Sequence, residues 1–489
     1  MLCLDSRPVW TFASCVLAAA FSTPALSAVL FVNADLATGA NSGASWADAY
    51  RGKDALARAM QASTSGDEVW VVRGTYRPTT SSSRLATHTL RSGVAVYGGF
   101  VGTERFRDQR DASANPTIVS GDLLGNDANG TNIADNSYHL FVASGAGSGA
   151  LLDGFIIEGG YANSASPADA NKGAGIIVIG AGSSPTVRNC TFRRNRCTFG
   201  GGAAYAFNAT VTFIDCQFES NIGGSFGGAI DMNNVVGTYE RCVFIGNTAG
   251  RAGACESYGG SLTKYTNCLF RGNSATGANG GGALWIGVSS SATIRNTTFV
   301  ENSASILAGC IINTGGSSSI GNSILWGNTG PGGTTLANQI TNSGGTTSVN
   351  YSIVQGGYAG TANLSSNPLF VDLAAGDLHL AAGSPAIDSG SNMLVPTGVN
   401  TDLDRLPRFA DDPNVPNTGV GIAPIVDRGA YERPAPACIA DLNGNGLVDA
   451  PDLTTLLTDW GFPGPGDLNG DGVVNAPDIA LLLSAWGPC

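Results

Sequence analysis

The sequence predicts an all-β solenoid, a parallel β-helix, followed by a small helical module with two calcium-binding loops. Three features lead to this prediction: a 26-residue repeat in the middle of the chain, many glycines between short apolar runs, and a duplicated acidic loop near the C-terminus. A regular period of this length is typical of solenoids, in which each repeat buries its apolar side chains against the next. Abundant glycine with few charged residues favours short strands and tight turns over long helices.

The repeat is clearest around four cysteines, each followed by Phe two residues later and by Asn five residues later. They are Cys190, Cys216, Cys242 and Cys268. Alternate residues of a strand share a face, so we expect an internal stack made of Phe192, Phe218, Phe244, Phe270 and Phe299. The Asn of each coil is predicted to lie in a turn with left-handed backbone and to hydrogen-bond the Asn of the next coil. The cysteines are interpreted as inward-facing small hydrophobes, with metal or redox roles or strained disulfides as alternatives.

The N-terminal part of the solenoid is less regular but follows the same pattern. Short apolar runs at 69–72, 94–97, 117–119 and 152–157 predict earlier strands. Residues 54–62 are predicted to form a helix with Leu56 and Met60 on one face. Such a helix would cover the open end of the solenoid, which needs a cap.

Several motifs resemble those of bacterial surface and secreted right-handed parallel β-helix proteins. They lie at residues 67–76, 118–122 and 152–160, while residues 384–390 and 427–432 look like the closing segment of the same group. The resemblance implies a right-handed β-helix with its N-terminal cap over residues 29–383. It also implies a closing segment over 384–433, after which 434–437 would be a linker.

The N-terminus predicts an export signal over residues 1–28. Arg7 supplies positive charge, residues 9–21 are mostly apolar but short for a bilayer span, and residues 25–28 offer small residues for cleavage. A membrane anchor is the alternative. We therefore expect a secreted or cell-surface protein with no transmembrane segment after signal removal.

The charge balance argues against nucleic acid as a partner. The chain has 25 Lys and Arg against 37 Asp and Glu residues, a formal net charge of −12. Phosphate binding needs clustered basic side chains, which this composition does not favour. An acidic protein with calcium loops is the simpler interpretation.

Two segments near the C-terminus have the spacing of EF-hand-like calcium loops, with oxygen-bearing side chains at positions 1, 3, 5, 9 and 12. The first loop would use Asp441, Asn443, Asn445, Asp449 and Asp452, with the carbonyl of Leu447. The second would use Asp467, Asn469, Asp471, Asn475 and Asp478, with the carbonyl of Val473. Because calcium takes six or more oxygen ligands, we expect two calcium ions; metal-free polar turns are the alternative.

Each loop is followed by an apolar helical stripe, predicted as Leu453, Leu456, Leu457 and Trp460 and then Ile479, Leu482, Leu483 and Trp486. Together the loops and stripes resemble a type I-like dockerin over residues 438–489, including Asp at the twelfth loop position. This resemblance implies a calcium-dependent fold and a cohesin-like or other cell-envelope protein as partner. The partner-selecting positions would be Ala450, Pro451, Ala476 and Pro477, and their lack of hydroxyls argues against a cellulosomal cohesin.

Cys438 and Cys489 lie at the two ends of this module. In an exported protein we expect them to form a disulfide, with two unrelated thiols as the alternative.

The sequence shows no established catalytic pattern in the coils. The three histidines, His88, His139 and His379, are isolated in the sequence and are predicted to be structural. Asp231 and Glu256 follow the glycine corners of neighbouring coils and are the candidate catalytic residues, in a cleft that would include Lys264 and Arg271. Ordinary solvated side chains are the alternative.

Three functions remain open from the sequence. The first is an exported β-helix that binds polysaccharide or a cell-surface partner and is held by a calcium-dependent dockerin. The second is a polysaccharide lyase or glycoside hydrolase delivered by the same module, and the third is a structural role at the cell surface.

Overall fold

The computed structural model describes residues 27–128, 130–278, 280–433 and 438–488. Most of the predicted export signal, the linker at 434–437 and Cys489 lie outside these ranges. Residues 29–354 wind into a parallel β-helix, as the repeat predicts. The second of its three sheets has ten strands, one for each coil.

Three parallel sheets form the sides of the β-helix. The first contains Val29–Val32, Glu68–Val72, Ala95–Phe100, Leu151–Asp153, Thr186–Arg188, Thr210–Ile214, Val236–Glu240, Leu262–Thr266, Ser291–Arg295, Ser317–Gly321 and Thr346–Asn350. The second contains Gly74–Tyr76, Thr117–Ser120, Phe155–Glu158, Thr191–Arg193, Gln217–Glu219, Val243–Ile245, Leu269–Arg271, Thr298–Val300, Ile324–Trp326 and Ile353–Val354. The third contains His88–Thr89, Phe141–Ser144, Ile176–Ile179, Ala204–Phe207, Ile230–Asn233, Cys255–Tyr258, Leu284–Ile286, Ile311–Thr314 and Ile340–Ser343.

Shorter elements complete the structure. Two small parallel sheets pair Tyr161–Ala162 with Arg196–Cys197 and join Thr248–Ala249, Ser274–Ala275 and Ser303–Ala304. Antiparallel pairs join Phe370–Asp372 to Asp377–Leu380 and Leu447–Val448 to Gly487–Pro488. The α-helices are Ala55–Ala62, Leu336–Gln339, Ala450–Thr458 and Ala476–Ser484, and the 3₁₀ helices are Arg107–Gln109, Ile133–Asp135 and Asn392–Leu394.

The predicted phenylalanine stack is confirmed. Successive rings from Phe192 to Phe299 lie 4.5–5.2 Å apart between centroids and are nearly parallel, at 4–8°. The parallel register places Phe192 beside Phe218 and Phe218 beside Phe244, so each ring covers the next coil's ring. Offset stacking of buried rings contributes beyond the area that each ring removes from water.

The predicted asparagine ladder is also confirmed, and it runs inside the coils. Each Nδ2 donates to the Oδ1 of the next Asn over 2.8–3.2 Å, along the series Asn195, Asn221, Asn247, Asn273, Asn302 and Asn328. The main-chain N–H of each of the first five donates to the same oxygen. At the far end, Asn328 Nδ2 donates to Gln339 Oε1, so a short helix closes the ladder.

The predicted left-handed backbone at these asparagines is wrong. The left-handed residue stands just before the ladder Asn, as at Arg194 (φ 53°) and Ser220 (φ 52°). A second left-handed residue stands before each column cysteine, as at Asn189 (φ 51°) and Asp215 (φ 54°). The left-handed residue makes the bend, and the Asn after it can then direct its amide inward along the ladder.

The helix Ala55–Ala62 fits the predicted N-terminal cap. Leu56 and Met60 are buried together with Ala55 and Ala59 and belong to the main core of the β-helix. The helix therefore covers apolar side chains that the first coil would otherwise leave exposed.

The segment 384–433 does not only close the end of the solenoid; it runs back along the outside of the coils. Ser391 N donates to Asn322 Oδ1, and Asn267 Nδ2 donates to the carbonyl of Thr401. Arg405 Nη2 donates to Oδ1 of Asn189, which lies five coils before Asn322, the residue bonded by Ser391. This path brings the segment beside the outer face of the second sheet.

Candidate functional sites

A cleft of about 1060 Å³ lies over the outer side of the second sheet. Outward-facing side chains of successive strands, including Thr191, Gln217 and Val243, line it. Residues from 108 to 116 contribute on one side, and residues 403–405 with Tyr431 contribute from the C-terminal segment. A space of this size is at the upper end of those that hold small ligands.

Charged side chains in this cleft form ion pairs and hydrogen bonds with neighbouring side chains of the cleft. Arg241 Nε donates to Asp215 Oδ1 over 2.6 Å, and Arg405 Nε lies 3.4 Å from the same oxygen. Arg405 Nη2 also donates to Asn189 Oδ1 over 2.9 Å. Such charge-assisted pairs fix the direction of each polar group, so the cleft presents a preorganised set of hydrogen-bonding atoms.

His379 lies at the edge of this cleft between two carboxylates. Its Nδ1 is 2.5 Å from Asp377 Oδ1 and its Nε2 is 2.6 Å from Asp404 Oδ2. The ring centroid is 4.5 Å from that of Tyr431. Partial burial lowers the pKa of His379, but the hydrogen bonds to Asp404 and Asp377 outweigh it and raise the pKa above its usual value.

The sequence interpretation of His379 as isolated is therefore wrong, because Asp404 is brought to it by the tertiary fold. The remaining signal was the spacing Asp377-x-His379, which places both side chains on one face of a strand. The other two histidines do behave as structural residues. His88 and His139 each bond a main-chain carbonyl, and burial lowers both pKa values, that of His88 to about 4.

Asp231 and Glu256 are brought together as predicted, but the expected open cleft around them is wrong. They are directly paired on adjacent strands of the third sheet, and both have 0% exposed surface. Their side chains point away from the core residues Ile230 and Met232, yet Gly200 and Phe226 of the adjoining turns fold over them. Lys264 and Arg271 lie on strands of the other two sheets.

Arg251 covers this acid pair from outside. Its guanidinium bonds Glu256 and lies 4.0 Å from the ring of Trp285 and 4.4 Å from that of Phe226. Neither carboxylate oxygen of Asp231 has a hydrogen-bond partner. Burial and the neighbouring Glu256 charge raise the pKa of Asp231 well above its usual value, and burial also raises that of Glu256.

The two C-terminal loops have matching local geometry. Asp441 accepts main-chain N–H groups from Gly444, Asn445 and Gly446, at 2.7–3.1 Å. Asp467 does the same with Asp471 and Gly472, at 3.1 and 2.7 Å. The sixth-position glycines are left-handed in both loops, with φ of 83° at Gly446 and 96° at Gly472, as the sharp turn requires.

The later loop positions match as well. Asp452 and Asp478 are buried, and each accepts N–H groups from its own loop, including that of the ninth-position residue at 2.8–2.9 Å. The Oδ1 atoms of the ninth-position Asp449 and Asn475 are buried and have no partner. The third- and fifth-position side chains and the seventh-position residues Leu447 and Val473 are at the exposed surface. Because calcium is coordinated by oxygen atoms, a calcium-binding loop without its ion is expected to have such unpartnered oxygens at equivalent positions.

The carboxylates of the described residues, those of the two loops included, do not cluster by themselves into a metal site. Within the described ranges, no group of three or more His, Cys, Asp and Glu side chains is placed to hold a metal ion. The loop carboxylates instead accept main-chain N–H groups, and the loop pattern also relies on Asn and main-chain oxygens. Among the described residues, no helix has the length and hydropathy of a bilayer span.

The helical stripes of the module divide into two faces, which corrects the single stripe predicted. Leu456 and Leu482 are buried in a small core with Val448 and Val474. Four residues at equivalent positions are about half exposed, namely Leu457, Leu483, Trp460 and Trp486. Ala450, Pro451, Ala476 and Pro477, the proposed partner-selecting residues, are exposed at the first turns of the two helices. Leu453 and Ile479, three residues before Leu456 and Leu482, pack against the same core, so one face of each helix is buried and the neighbouring face is exposed.

The cysteines fall into two groups. Cys190, Cys216, Cys242 and Cys268 are buried free thiols, and burial raises their pKa values, that of Cys190 to about 12. This matches their interpretation as inward-facing small hydrophobes. Cys438 is disulfide-bonded. Its pairing with Cys489, which lies outside the described residues, stays a prediction.

Comparison with known proteins supports the fold. A family model described as a right handed beta helix region matches residues 112–299, less than half of the chain. The crystal structure of pectate lyase Pel9A is similar with a TM-score of 0.43 and 16% identity, covering 84% of this chain and 98% of that one. No curated protein matches the chain in sequence. The parallel strand order and the match of the family model over residues 112–299 together define a right-handed parallel β-helix fold.

Proposed function

We propose that this chain is an exported, polysaccharide-binding β-helix held to a cohesin-like or other cell-envelope protein by a calcium-dependent, dockerin-like module. The cleft over the second sheet is the observation that carries the binding role. It places hydrogen-bonding side chains that have fixed partners, those of Asn189 and Arg241, in one cleft with the ring of Tyr431. Sugars are recognised by this combination because their hydroxyls need oriented partners and their C–H faces pack on aromatic rings.

The charges of the cleft favour a neutral glycan over a polyuronate. Four acidic residues line it, Asp108, Asp111, Asp215 and Asp404, against three arginines, Arg110, Arg241 and Arg405. Arg241 and Arg405 already face the Asp215 carboxylate, so they are poorly placed to neutralise a second anion. The lyase or hydrolase alternative is not proposed, because its candidates Asp231 and Glu256 are closed off from solvent.

The docking role is supported by the duplicated loops and helices. The matching loops offer the oxygen ligands that calcium takes, including the unpartnered oxygens of Asp449 and Asn475. The half-exposed Trp460 and Trp486 give the two helices equivalent apolar faces. Aromatic residues of this kind are enriched where proteins bind one another.

Glycan binding is tested by titrating the full chain with a panel of neutral and acidic polysaccharides. Wild type is expected to bind a neutral glycan, and Arg405→Ala, which removes an exposed cleft side chain, is expected to weaken it about tenfold. Lys264→Ala is the matched control, because it removes an exposed basic side chain of the first sheet. It is expected to leave glycan affinity unchanged. Binding restricted to polyuronates, or release of reducing or unsaturated ends, would contradict the proposal.

Calcium binding is tested by calorimetric titration of the same chain. We expect two bound ions in wild type, one in Asp441→Ala or Asp467→Ala, and none in the double variant. Asp459→Ala, at the end of the first module helix and outside both loops, is the control. Two calcium ions bound to the double variant would contradict the assignment of these loops as the calcium sites.

A further inference from the structure

The Asp377–His379–Asp404 cluster requires a particular protonation state. A neutral imidazole has one N–H and one lone pair, so it can donate to only one of two carboxylates. Here both ring nitrogens lie within 2.6 Å of a carboxylate oxygen. The imidazolium donates from both nitrogens and is the form that this geometry accommodates.

The cluster connects two parts of the C-terminal segment beside the cleft. Asp377 and His379 lie on one strand of the antiparallel pair, whereas Asp404 belongs to the loop that contributes residues 403–405 to the cleft. Arg405, the next residue, reaches Asp215 and Asn189. Arg405, which lines the cleft, is therefore the chain neighbour of the carboxylate residue that His379 bonds.

We propose that His379 is a positioning residue of the cleft: as the imidazolium it ties Asp404 to Asp377, holds Arg405 in place, and makes glycan binding depend on pH. This inference rests on the proposed function, because glycan binding is its readout. His379 touches the ligand-facing groups only through Asp404, so it acts by placing them.

The other titratable groups around His379 do not replace this interaction. The ring of Tyr431 lies against that of His379 at a tilt of 44°. Asp402 accepts main-chain N–H groups from Asp404, Leu406 and Glu432. Asp377 and Asp404 are the two carboxylates that bond the imidazole. All three members of the cluster are about 40% exposed, so solvent screening limits the size of the effect.

The direction of the pH effect follows from the raised pKa of His379. Below this pKa the imidazolium keeps both bonds, and above it one carboxylate loses its donor. Since the usual His pKa is about 6.5, the change is expected above that pH. Affinity for the glycan should fall as pH rises through the transition, by about fivefold at most for an exposed charge pair.

Two variants with opposite charge behaviour test the inference. His379→Arg keeps a positive charge at every pH and is expected to bind the neutral glycan tightly from about pH 5 to about pH 9. His379→Gln lacks the charge and is expected to bind several-fold more weakly over the same range. As pH rises, wild type should change from the tight binding of His379→Arg to the weaker binding of His379→Gln.

The protonation itself is followed by NMR of the histidine rings. The chain has three histidines, and burial lowers the pKa of His88 and of His139, so the ring that titrates highest is that of His379. Asp404→Asn should lower the pKa of His379. In wild type, the midpoint of the His379 titration should coincide with the midpoint of the pH dependence of glycan binding. Glycan binding that does not vary with pH overturns this inference alone, whereas no neutral-glycan binding at any pH overturns it together with the proposed function.

Discussion

The coils of the β-helix and the C-terminal module at 438–488 both repeat after 26 residues, yet their repeated polar groups are satisfied differently. In the coils, the amide of Asn221 bonds Asn247 and that of Asn247 bonds Asn273, so each copy is the partner of the next. In the module, each loop closes on its own main chain. The ninth-position oxygens of Asp449 and Asn475 are left over in both copies.

This difference shows what a repeat can supply by itself. Successive coils of a solenoid are related by translation along one axis. A side chain that donates a hydrogen bond to the next coil therefore accepts one from the preceding coil. Two loops that face separate sites have no such neighbour, and their spare oxygens need a partner from outside the chain. The coils are therefore expected to be indifferent to calcium, and the module is expected to depend on it.

The largest effect is expected from breaking the ladder at its centre. Asn247→Ala removes the acceptor of Asn221 N–H and the donor to the carbonyl of Phe218, leaving both groups buried without partners. The free energy of unfolding should fall by about 2–4 kcal/mol, measured by urea denaturation. Calcium should not restore it, because the loss lies in the coils.

The control for this change is the exposed pair formed by Asn234 and Asn208. Asn234→Gly removes the same kind of amide bond while tolerating the left-handed backbone at that position (φ 55°). It should cost less than about 1 kcal/mol, since water replaces the lost bond. Equal losses in the two variants would mean that burial of the ladder does not matter.

Most of the coil architecture could be predicted from the sequence because its cause is local. Alternation within Cys-x-Phe and the constant spacing to Asn195 and its counterparts determine which side chains face inward and stack. The module loops could be described for the same reason, since their ligand pattern lies within twelve residues.

The remaining features depend on where non-repeating segments fold back. His379 and Asp404 are 25 residues apart in a region without periodicity, and no spacing rule joins them. Asp231 and Glu256 follow equivalent glycine corners, and this spacing does place them side by side on adjacent strands. Their burial depends on Phe226 and Arg251 covering them, which strand periodicity does not indicate.

An intermediate effect is expected from replacing Asp231, a residue of the coils whose two carboxylate oxygens have no hydrogen-bond partner. Burial raises the pKa of Asp231, so the folded state holds its proton more tightly than the unfolded state does. The stability from this group is present below the unfolded pKa of about 3.9 and is lost as pH rises towards the folded pKa.

Asp231→Asn cannot ionise and should remove that loss. Relative to wild type, it should gain about 1–3 kcal/mol in unfolding free energy as pH rises above about 4. The exposed Asp108→Asn, which lacks this burial, is the control and should show no such gain. A parallel pH dependence in wild type and Asp231→Asn would show that Asp231 ionises in the folded state without a cost in stability.

The smallest effect is expected in the cysteine column, because the chain itself replaces cysteine there. Thr297 and Ser323 continue the column, and their hydroxyls donate to the carbonyls of Arg295 and Gly321. Cys242 Sγ lies 3.4 Å from the carbonyl of Phe213, so a serine hydroxyl at 242 has an acceptor ready. Cys242→Ser should change the free energy of unfolding by less than about 1 kcal/mol, whereas Cys242→Asp, which buries a charge, should cost far more. A large loss for serine would show that the column depends on thiol packing and not on tolerance for any small side chain.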